Sequence, residues 1–524
     1  MNQIVKWKYF PHFLLVLLTA AVYSNSMNFP LLEGWDDHIY ISCNTERLSF
    51  SAGNMIYWLT HSCEWCYLPL TMYSYMFDYA IWGLNGIGYH LQNVFWHILA
   101  VLAVFGLMKH FGLNPWLAFA LSLVFSIHPQ RVESVVWISE RKDVMCAAFY
   151  LWSVFFWVSG KSKRISFILF IAAMLSKSMA ISLPFVLAAC EFYGDGKFNP
   201  KAWLKKLWPF FLVSLIFIPV TIFSQDINRG GIIFLRQSYV LIHNIAWYVQ
   251  TCFFPGRLSP LYPKVILSYW EITQILLTYA IIIAIGIHLY MRSREFFMNK
   301  MIPLSCCFLV SIGPVAGFLP LGAIDYADRY SYIPSVFLWI AFGALLTQSL
   351  NNINAVTEKK KSSRSYLMIL MIAGFSYVIL LAGINWIYSN VWKSYYSVLS
   401  AACMNNPPSY IALGARGDLE LSLGNYSEAI STADMILTRQ KGWETEEGYR
   451  KIVLKAKYTK AFASYNLGNK KEALKIFEEI KPDLDVNLFG SAEGYSRLIK
   501  MMIDCCYSIG DKGKAEKLKS EMKK

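Results

Sequence analysis

Two adjacent carboxylates, Asp36 and Asp37, follow the first long apolar stretch of the chain. Like charges this close raise the pKa of one member of the pair, and a carboxylate with a raised pKa suits a general base near pH 7. A carboxylate pair also suits a divalent cation. The structural alternative is a solvated loop start or a helix cap. These residues alone leave the alternatives open.

A second group of ionisable residues occupies positions 128–143, between two apolar stretches. Three of these residues, Glu133, Glu140 and Arg141, fall at helical spacing together with Trp137. This spacing predicts a short interfacial helix that presents them to one site. Ionisable residues at membrane depth mark functional sites by default. The alternative is a juxtamembrane helix with surface ion pairs and a tryptophan anchor.

Two further cations suit a phosphate group. Lys177 lies between two apolar segments, where its amino group either reaches the membrane surface or binds a lipid phosphate. Arg329 lies in a polar turn, and its planar guanidinium matches two phosphate oxygens. The alternative for Arg329 is a local ion pair with Asp325 or Asp328.

Three cysteines, Cys43, Cys63 and Cys66, precede the second long apolar stretch. A disulfide among them requires an oxidising compartment. The spacing Cys63-x-x-Cys66 is a weak indication by itself, and no second Cys or His pair stands at zinc spacing.

The composition indicates that most of the chain lies in lipid. Of 524 residues, 56% are hydrophobic and 16% are charged, whereas soluble chains are about 25% charged. The net charge is +14. We attribute this excess to basic cytoplasmic loops, so no nucleic-acid partner is expected.

We count eleven apolar stretches as candidate membrane spans, although some of them are short for a full crossing. Because Lys and Arg in short loops stay cytoplasmic, the basic clusters place the N-terminus inside. This map requires the apolar stretch 237–255 to be interfacial or re-entrant. It places 29–88, 129–142, 225–267, 320–331 and the C-terminal region outside. The predicted spans are 10–28, 89–108, 113–128, 143–160, 165–178, 179–193, 208–224, 268–291, 299–319, 332–350 and 366–388.

The composition changes near residue 390, which predicts two domains, 1–390 and 391–524. Three tail segments place Gly at a helix–helix turn and Ala five residues later, starting at Gly424, Gly468 and Gly510. This pattern is typical of the tetratricopeptide repeat, whose stacked helix pairs bind peptides or partner proteins. The alternative is a generic helical tail.

In this order, the motifs resemble the TMTC family of membrane O-mannosyltransferases and their bacterial relatives, within the GT-C glycosyltransferase superfamily. The resemblance rests on Trp35-Asp36-Asp37, the segment 128–143, the segments 259–263 and 327–334, and the repeat tail. It implies an all-α membrane protein, in which a GT-C-type bundle of about eleven spans precedes a soluble α-helical tetratricopeptide-like repeat domain. Many relatives carry a second His shortly after His-Pro, where this chain has Gln130-Arg131.

The resemblance also implies a function. The donor is a polyprenyl-phosphate-linked sugar, transferred with inversion at the periplasmic face of the inner membrane to a protein or envelope glycan, with O-mannosylation as one option. A divalent cation is left open. The alternatives are a membrane-anchored tetratricopeptide scaffold and a lipid-linked glycan polymerase or ligase. The implied site residues are Asp36 or Asp37 as general base, Arg329, Lys177 and Arg141 on the lipid phosphate, and His128, Glu133, Glu140 and Asp143 as residues that order the site.

Overall fold

The structure is a computed structural model in which helices form two compact units. The first unit comprises Met1–Leu258 and Leu267–Ser397, and the second comprises Ser259–Ile266 and Val398–Lys524. The predicted domains divide slightly earlier and do not include 259–266 in the second. The structure describes residues 2–194, 200–224, 234–256, 258–265, 268–318, 324–357, 362–405, 408–438, 446–483 and 492–522.

Long helices build the first unit. Each predicted span overlaps one of them, and the apolar stretch 237–255 is also helical. The helix Arg141–Val158 packs between Gly86–His110 and Lys163–Ser176. The bounds are Asn2–Val22, Gly86–His110, Pro115–Ile127, Arg141–Val158, Lys163–Ser176, Leu183–Glu191, Pro200–Ser224, Phe234–Phe253, Tyr269–Arg292, Ile302–Ile312, Pro334–Thr357 and Ser362–Ser389.

Five helical stretches among the described residues are long and apolar enough to cross a membrane, which makes this a multi-pass membrane protein. They are Gly86–His110, Trp203–Ser224, Tyr269–Arg292, Arg294–Val315 and Met368–Lys393. Other helices are shorter: the 13 residues of Pro115–Ile127 extend about 20 Å, less than the roughly 30 Å hydrocarbon core. The count of eleven crossings, and the interfacial placement of 237–255, stay predictions.

The ends of several helices follow from local side-chain chemistry. The Asn114 carbonyl oxygen accepts from the amides of Trp116 and Leu117, and Pro115 occupies the first helical position. An asparagine cap followed by proline is a strong start, because it satisfies free amides and fixes φ. Ser162 caps Lys163–Ser176 in the same way through the amide of Ile165.

Short helices occupy the polar connections. In the first loop, defined here as residues 29–88, they are Asp36–Tyr40, Ser42–Asn44, Thr45–Leu48, Ala52–Thr60 and Pro69–Trp82. In the second loop, residues 129–142, they are Pro129–Arg131, Val132–Val136 and Ile138–Glu140, before Arg141–Val158 begins. Elsewhere in this unit they are Ser24–Asn28, Ser178–Ser182, Arg294–Phe296, Phe297–Met301, Gly313–Val315, Asp328–Ser331 and Asn390–Lys393.

The second unit contains three antiparallel helix pairs after the helix Tyr395–Cys403. Each pair turns at a glycine with positive φ, and the alanine five residues later is fully buried. Glycine suits such a turn because it lacks a Cβ. The assignment to the tetratricopeptide class stays a prediction. The pairs are Tyr410–Ser422 with Tyr426–Leu437, Glu446–Asn466 with Lys470–Ile480, and Ala492–Ser508 with Lys512–Met522.

Candidate active site

The two carboxylates of the first loop have different surroundings. Asp37 is 1% exposed, and its oxygens accept from the amides of Leu32 (3.0 Å) and Ser139 (2.9 Å) and from the Ser139 hydroxyl. Asp36 is partly exposed and lines a pocket of about 280 Å³. The geometry therefore separates the pair into a buried residue that ties the two loops together and one that faces the pocket.

Gly34, two positions before Asp36, also lines the pocket. Gly34 has φ +87°, a conformation that L side chains rarely adopt, and an added Cβ would lie 3.0 Å from the Tyr395 ring. Tyr395 also lines the pocket. A side chain at position 34 would thus strain the backbone and press against the Tyr395 ring.

The pKa values of both carboxyl groups are raised, as a general base near neutral pH requires. Burial raises the pKa of Asp37 to about 6, although its hydrogen bonds to Ser139 and Leu32 oppose the shift. Burial also raises the pKa of Asp36, with a smaller contribution from Glu140, while Lys142 and Arg329 lower it. Asp36 is the member of the pair that lines the pocket.

The second loop is not the single short helix that its spacing predicts. Trp137 is extended (φ −74°, ψ 117°) and separates Val132–Val136 from Ile138–Glu140. All residues of this loop are buried. The helical prediction is wrong here because the backbone of Trp137 is extended, and its ring packs on that of Trp392 with ring centroids 5.2 Å apart.

The break brings the charged side chains of the loop into one cluster with Arg329. Arg329 donates to Glu133 through both its guanidinium and its backbone amide (2.8 Å), and its Nε lies 3.4 Å from Glu140 Oε1. Arg329 thus contacts residues far away in sequence, and the guanidinium stays 14% exposed. Asp325 forms an ion pair with Arg236 at 2.6 Å.

Glu140 lies at the centre of this cluster. Its oxygens are 3.1 Å from Lys142 Nζ and 3.6 Å from Lys177 Nζ, and Lys177 also forms an ion pair with Asp143. Burial opposes ionisation of Glu140, but these cations together outweigh it and lower its pKa. The same attraction holds the pKa of Lys142 well above its usual value despite burial. Glu140 and Lys142 are therefore both charged at neutral pH.

The structure corrects the predicted role of Arg141. Its guanidinium is fully buried in an ion pair with Asp78 at 2.5 Å. It also donates to the Asn93 side chain (2.8 Å) and to the Tyr89 carbonyl (2.9 Å). Arg141 therefore fastens the helix Arg141–Val158 to two preceding helices and is removed from the phosphate-binding set.

The remaining predicted residues occupy supporting positions. His128 is 2% exposed and accepts from the amide of Gln130 at 3.3 Å, which caps the turn that starts the second loop. Lys177 is 15% exposed within the cluster, so its amino group does not extend freely to a membrane surface. The structure brings Glu133, Glu140, Asp143, Lys177 and Arg329 together.

Sequence reasoning missed two residues. Lys142 is buried between Glu140 and the aromatic rings of Tyr40 (4.9 Å) and Trp137 (5.6 Å). Ser139 supplies both donors to one oxygen of Asp37. The indication for Lys142 was its place in an unbroken run of four charged residues, 140–143.

A cation held by the whole carboxylate pair does not fit this geometry. Asp37 is directed to buried amides, which leaves Asp36 as the carboxylate of the pair at the pocket. Across the described part of the chain, no three His, Cys, Asp or Glu side chains are grouped to hold a metal ion.

A carboxylate at a pocket beside buried, charged cations defines a site suited to group transfer with an anionic leaving group.

No protein-family model matches the chain. Curated relatives do match. Protein O-mannosyl-transferase TMTC2 of Mus musculus is 32% identical over 160 residues, 28% of this chain and 18% of the relative. Protein O-mannosyl-transferase TMTC4 of Homo sapiens is 27% identical over 165 residues, 25% of this chain and 22% of the relative.

The predicted resemblance to the TMTC O-mannosyltransferases is thereby confirmed. Protein O-mannosyl-transferase F38B6.6 of Caenorhabditis elegans is similarly 27% identical over 119 residues, 22% of this chain and 17% of the relative. The chain thus spans about a fifth of the length of these relatives. Among solved structures, ArnT from Cupriavidus metallidurans bound to undecaprenyl phosphate matches over 90% of this chain and 80% of its own. Its TM-score is 0.35 at 14% identity, a similarity too low to assign a fold or a ligand.

Proposed function

We propose that this protein is a glycosyltransferase that moves a sugar from a polyprenyl-phosphate carrier to a hydroxyl group of a protein or envelope glycan. The observation that carries the proposal is the position of Asp36, at a pocket and electrostatically coupled to the buried cations Lys142 and Arg329. The curated relatives, named as O-mannosyltransferases, support a mannosyl donor.

Asp36 acts as the general base in this reaction. Its carboxylate accepts the proton of the acceptor hydroxyl while the hydroxyl oxygen attacks the anomeric carbon. The new carbon–oxygen bond forms as the bond to the carrier phosphate breaks, with inversion, and the phosphate leaves with the bonding electrons. The raised pKa of Asp36 makes it a stronger base than an exposed aspartate.

The buried cations stabilise the departing phosphate. Arg329 remains partly exposed, and its second terminal nitrogen makes none of the contacts to Glu133 and Glu140 described above. The positive charges of Lys177 and Lys142 also stabilise the phosphate electrostatically, although both ammonium groups are paired with carboxylates. Donors fixed before the reaction stabilise developing charge without reorganisation. Glu133, Glu140 and Asp143 hold these cations in place.

The site lies at the periplasmic face in this proposal, as does the second unit. Basic clusters in the other loops support it through the charge rule. An independent contact adds support: the Asn405 side chain donates to Ser259 Oγ (2.7 Å) and to the Leu261 carbonyl (3.0 Å), all within the second unit. The loop that contains 259–266 and the repeat unit must therefore lie on one side. The helix pairs of that unit serve a protein partner.

Sugar transfer in membranes tests this function. Membranes containing the full chain receive radiolabelled polyprenyl-phosphate mannose or polyprenyl-phosphate glucose, and label in protein and in glycan is measured separately. We expect transfer from one donor, and its loss in Asp36→Asn. Glu46→Gln is the matched control, because this exposed carboxylate lies in the same loop. Full activity in Asp36→Asn would sink the assignment of the base.

The outcome also separates the alternatives. A scaffold that only anchors the repeat unit transfers no label in any variant. A lipid-linked glycan polymerase or ligase transfers label into glycan and leaves protein unlabelled. A buried cluster of three cations and three carboxylates favours an enzyme, because an anchor does not require charges that are expensive to bury.

A further inference from the structure

The first loop contains a tight turn at Cys63-Glu64-Trp65-Cys66. Cys63 and Cys66 exchange both backbone hydrogen bonds, each at 2.9 Å, and form an isolated antiparallel bridge. Glu64 has φ +43° and Trp65 has φ +59°. The segment is therefore a two-residue hairpin with both central residues in the left-handed region, the geometry of a type I′ turn.

The residues of this turn do not favour it. Type I′ turns select Asn and Gly because other side chains clash at positive φ. Among the described residues, Glu64 and Trp65 are the non-glycine positions with positive φ. Such strain persists only where the surroundings fix the backbone. Trp65 is 53% exposed, so burial of its ring provides limited support.

A covalent bond between the ends of the turn would fix this backbone. Residues that exchange both hydrogen bonds in an antiparallel pair have Cα atoms about 5.5 Å apart, within the range that a disulfide spans. Both cysteines are free thiols in this structure, and their half-buried side chains pack on the same hydrophobic cluster. Burial raises the pKa of the Cys63 thiol to about 12 and also raises that of Cys66. Neither sulfur therefore suits a nucleophile.

We propose that Cys63 and Cys66 form a structural disulfide that locks the left-handed turn beside the active site. The two S–H bonds break and one S–S bond forms, while two electrons and two protons pass to a disulfide oxidant of the compartment, which becomes a dithiol. This inference rests on the proposed function to the extent that it needs the first loop at the oxidising face.

The turn packs against residues that support the candidate active site. Cys63 and Cys66 pack against the cluster that contains Tyr40, and the Tyr40 ring lies 4.9 Å from the buried ammonium of Lys142. Tyr40 ends the short helix that begins at Asp36. A fixed turn thus also holds Tyr40 in place, and with it the helix that begins at Asp36 and the ring that contacts Lys142.

Peptide mapping tests the bond directly. Full-length protein is purified without reductant, its free thiols are blocked with N-ethylmaleimide, and it is digested with a glutamyl endopeptidase and trypsin. Cleavage after Glu46 and Glu64 puts Cys43, Cys63 and Cys66 on three fragments. We expect one linked pair, Cys63 with Cys66, that separates on reduction. Cys43 should carry the blocking group, as it is exposed.

Blocked thiols at both Cys63 and Cys66, or a linkage that involves Cys43, would overturn the inference. Sugar transfer is measured on the same preparation. Transfer with unlinked thiols overturns the disulfide and leaves the function standing, whereas a linked pair without transfer supports the disulfide and counts against the function.

A second measurement isolates the turn itself. The Cys63→Ser/Cys66→Ser protein should unfold at a lower temperature than wild type. Adding Glu64→Asn and Trp65→Gly should restore most of the loss, because Asn-Gly favours this turn without a disulfide. Unchanged stability in the serine protein, or no recovery with Asn-Gly, would overturn the claim that the bond locks the turn.

Discussion

The carboxylate of Asp37 accepts hydrogen bonds from both the backbone amide (2.9 Å) and the hydroxyl of Ser139. One aspartate oxygen thereby joins the first loop to the second, across 102 positions of sequence. The adjacent Asp36 is left at the pocket. Because an aspartate pair at this spacing shares one backbone turn, anchoring one member orients the other.

We expect Asp37→Asn to change the pH dependence of stability more than it changes the chemistry. Burial raises the pKa of Asp37 from 3.8 to about 6. The folded state therefore retains a proton that the unfolded state releases, so stability falls as pH rises through this window, by about 3 kcal/mol. Asparagine does not titrate. Thermal unfolding at pH 4 and pH 7 should differ less in Asp37→Asn than in wild type, and an equal difference would contradict this.

The loss of activity at low pH, which is the acid limb of the pH–rate profile, should reflect protonation of Asp36. The reactive form of a general base is the carboxylate, and burial raises the pKa of this group. Transfer should therefore decline with falling pH through a pKa above the usual carboxyl value of 3.8. Initial rates between about pH 4 and 8 measure it. An active Asp37→Asn protein should retain the limb; its disappearance in that variant would reassign the base to Asp37.

Arg329→Lys should lower the transfer rate by about 100-fold or more, the usual effect of losing one preorganised donor. Lysine keeps the charge but loses the planar fork that reaches Glu133 and Glu140 through two of its three nitrogens. Steady-state kinetics with varied lipid donor measure the effect. Arg47→Lys is the matched control, because this exposed arginine lies in the first loop over the Tyr57 ring. Equal rates in both variants would remove Arg329 from the site.

The long helices follow from the sequence because apolar runs and asparagine caps are local features. Each predicted span overlaps a helix, and in the structure Asn114 caps the helix that Pro115 begins. The number of crossings does not follow in the same way, because short helices such as Pro115–Ile127 lack the length that crossing requires.

The sequence indicates several charged residues of the cluster, but neither Lys142 nor the pairing of the charges. The sequence brings Glu133, Glu140 and Arg329 into consideration as charges near the membrane. Their pairing accompanies the break at Trp137, whose ring packs on that of the distant Trp392. The ion pair of Arg141 could not be predicted for a similar reason, because its partner Asp78 lies in a separate helix, Pro69–Trp82.

The Arg141–Asp78 pair should be structural. Both side chains are fully buried, so Asp78→Ala leaves an unpaired charge and should destabilise the fold by about 3–5 kcal/mol. Replacing both partners, as in Asp78→Leu with Arg141→Met, should recover much of the loss because no charge remains buried. The midpoint of thermal unfolding in detergent measures this. A double variant no more stable than Asp78→Ala would show that Arg141 has a further role.

The loop segment 259–266 and the C-terminus should report the same side of the membrane, and that side should be external. Asn405 contacts Ser259 and Leu261 within one unit. A cysteine introduced as Lys264→Cys should react with a membrane-impermeant maleimide in intact cells, compared with the parent protein and with Lys163→Cys in a predicted cytoplasmic loop. A reporter fused after Lys524 should likewise read external. Opposite sides would contradict the structure, whereas a shared cytoplasmic side would contradict the charge map and move the repeat unit inside.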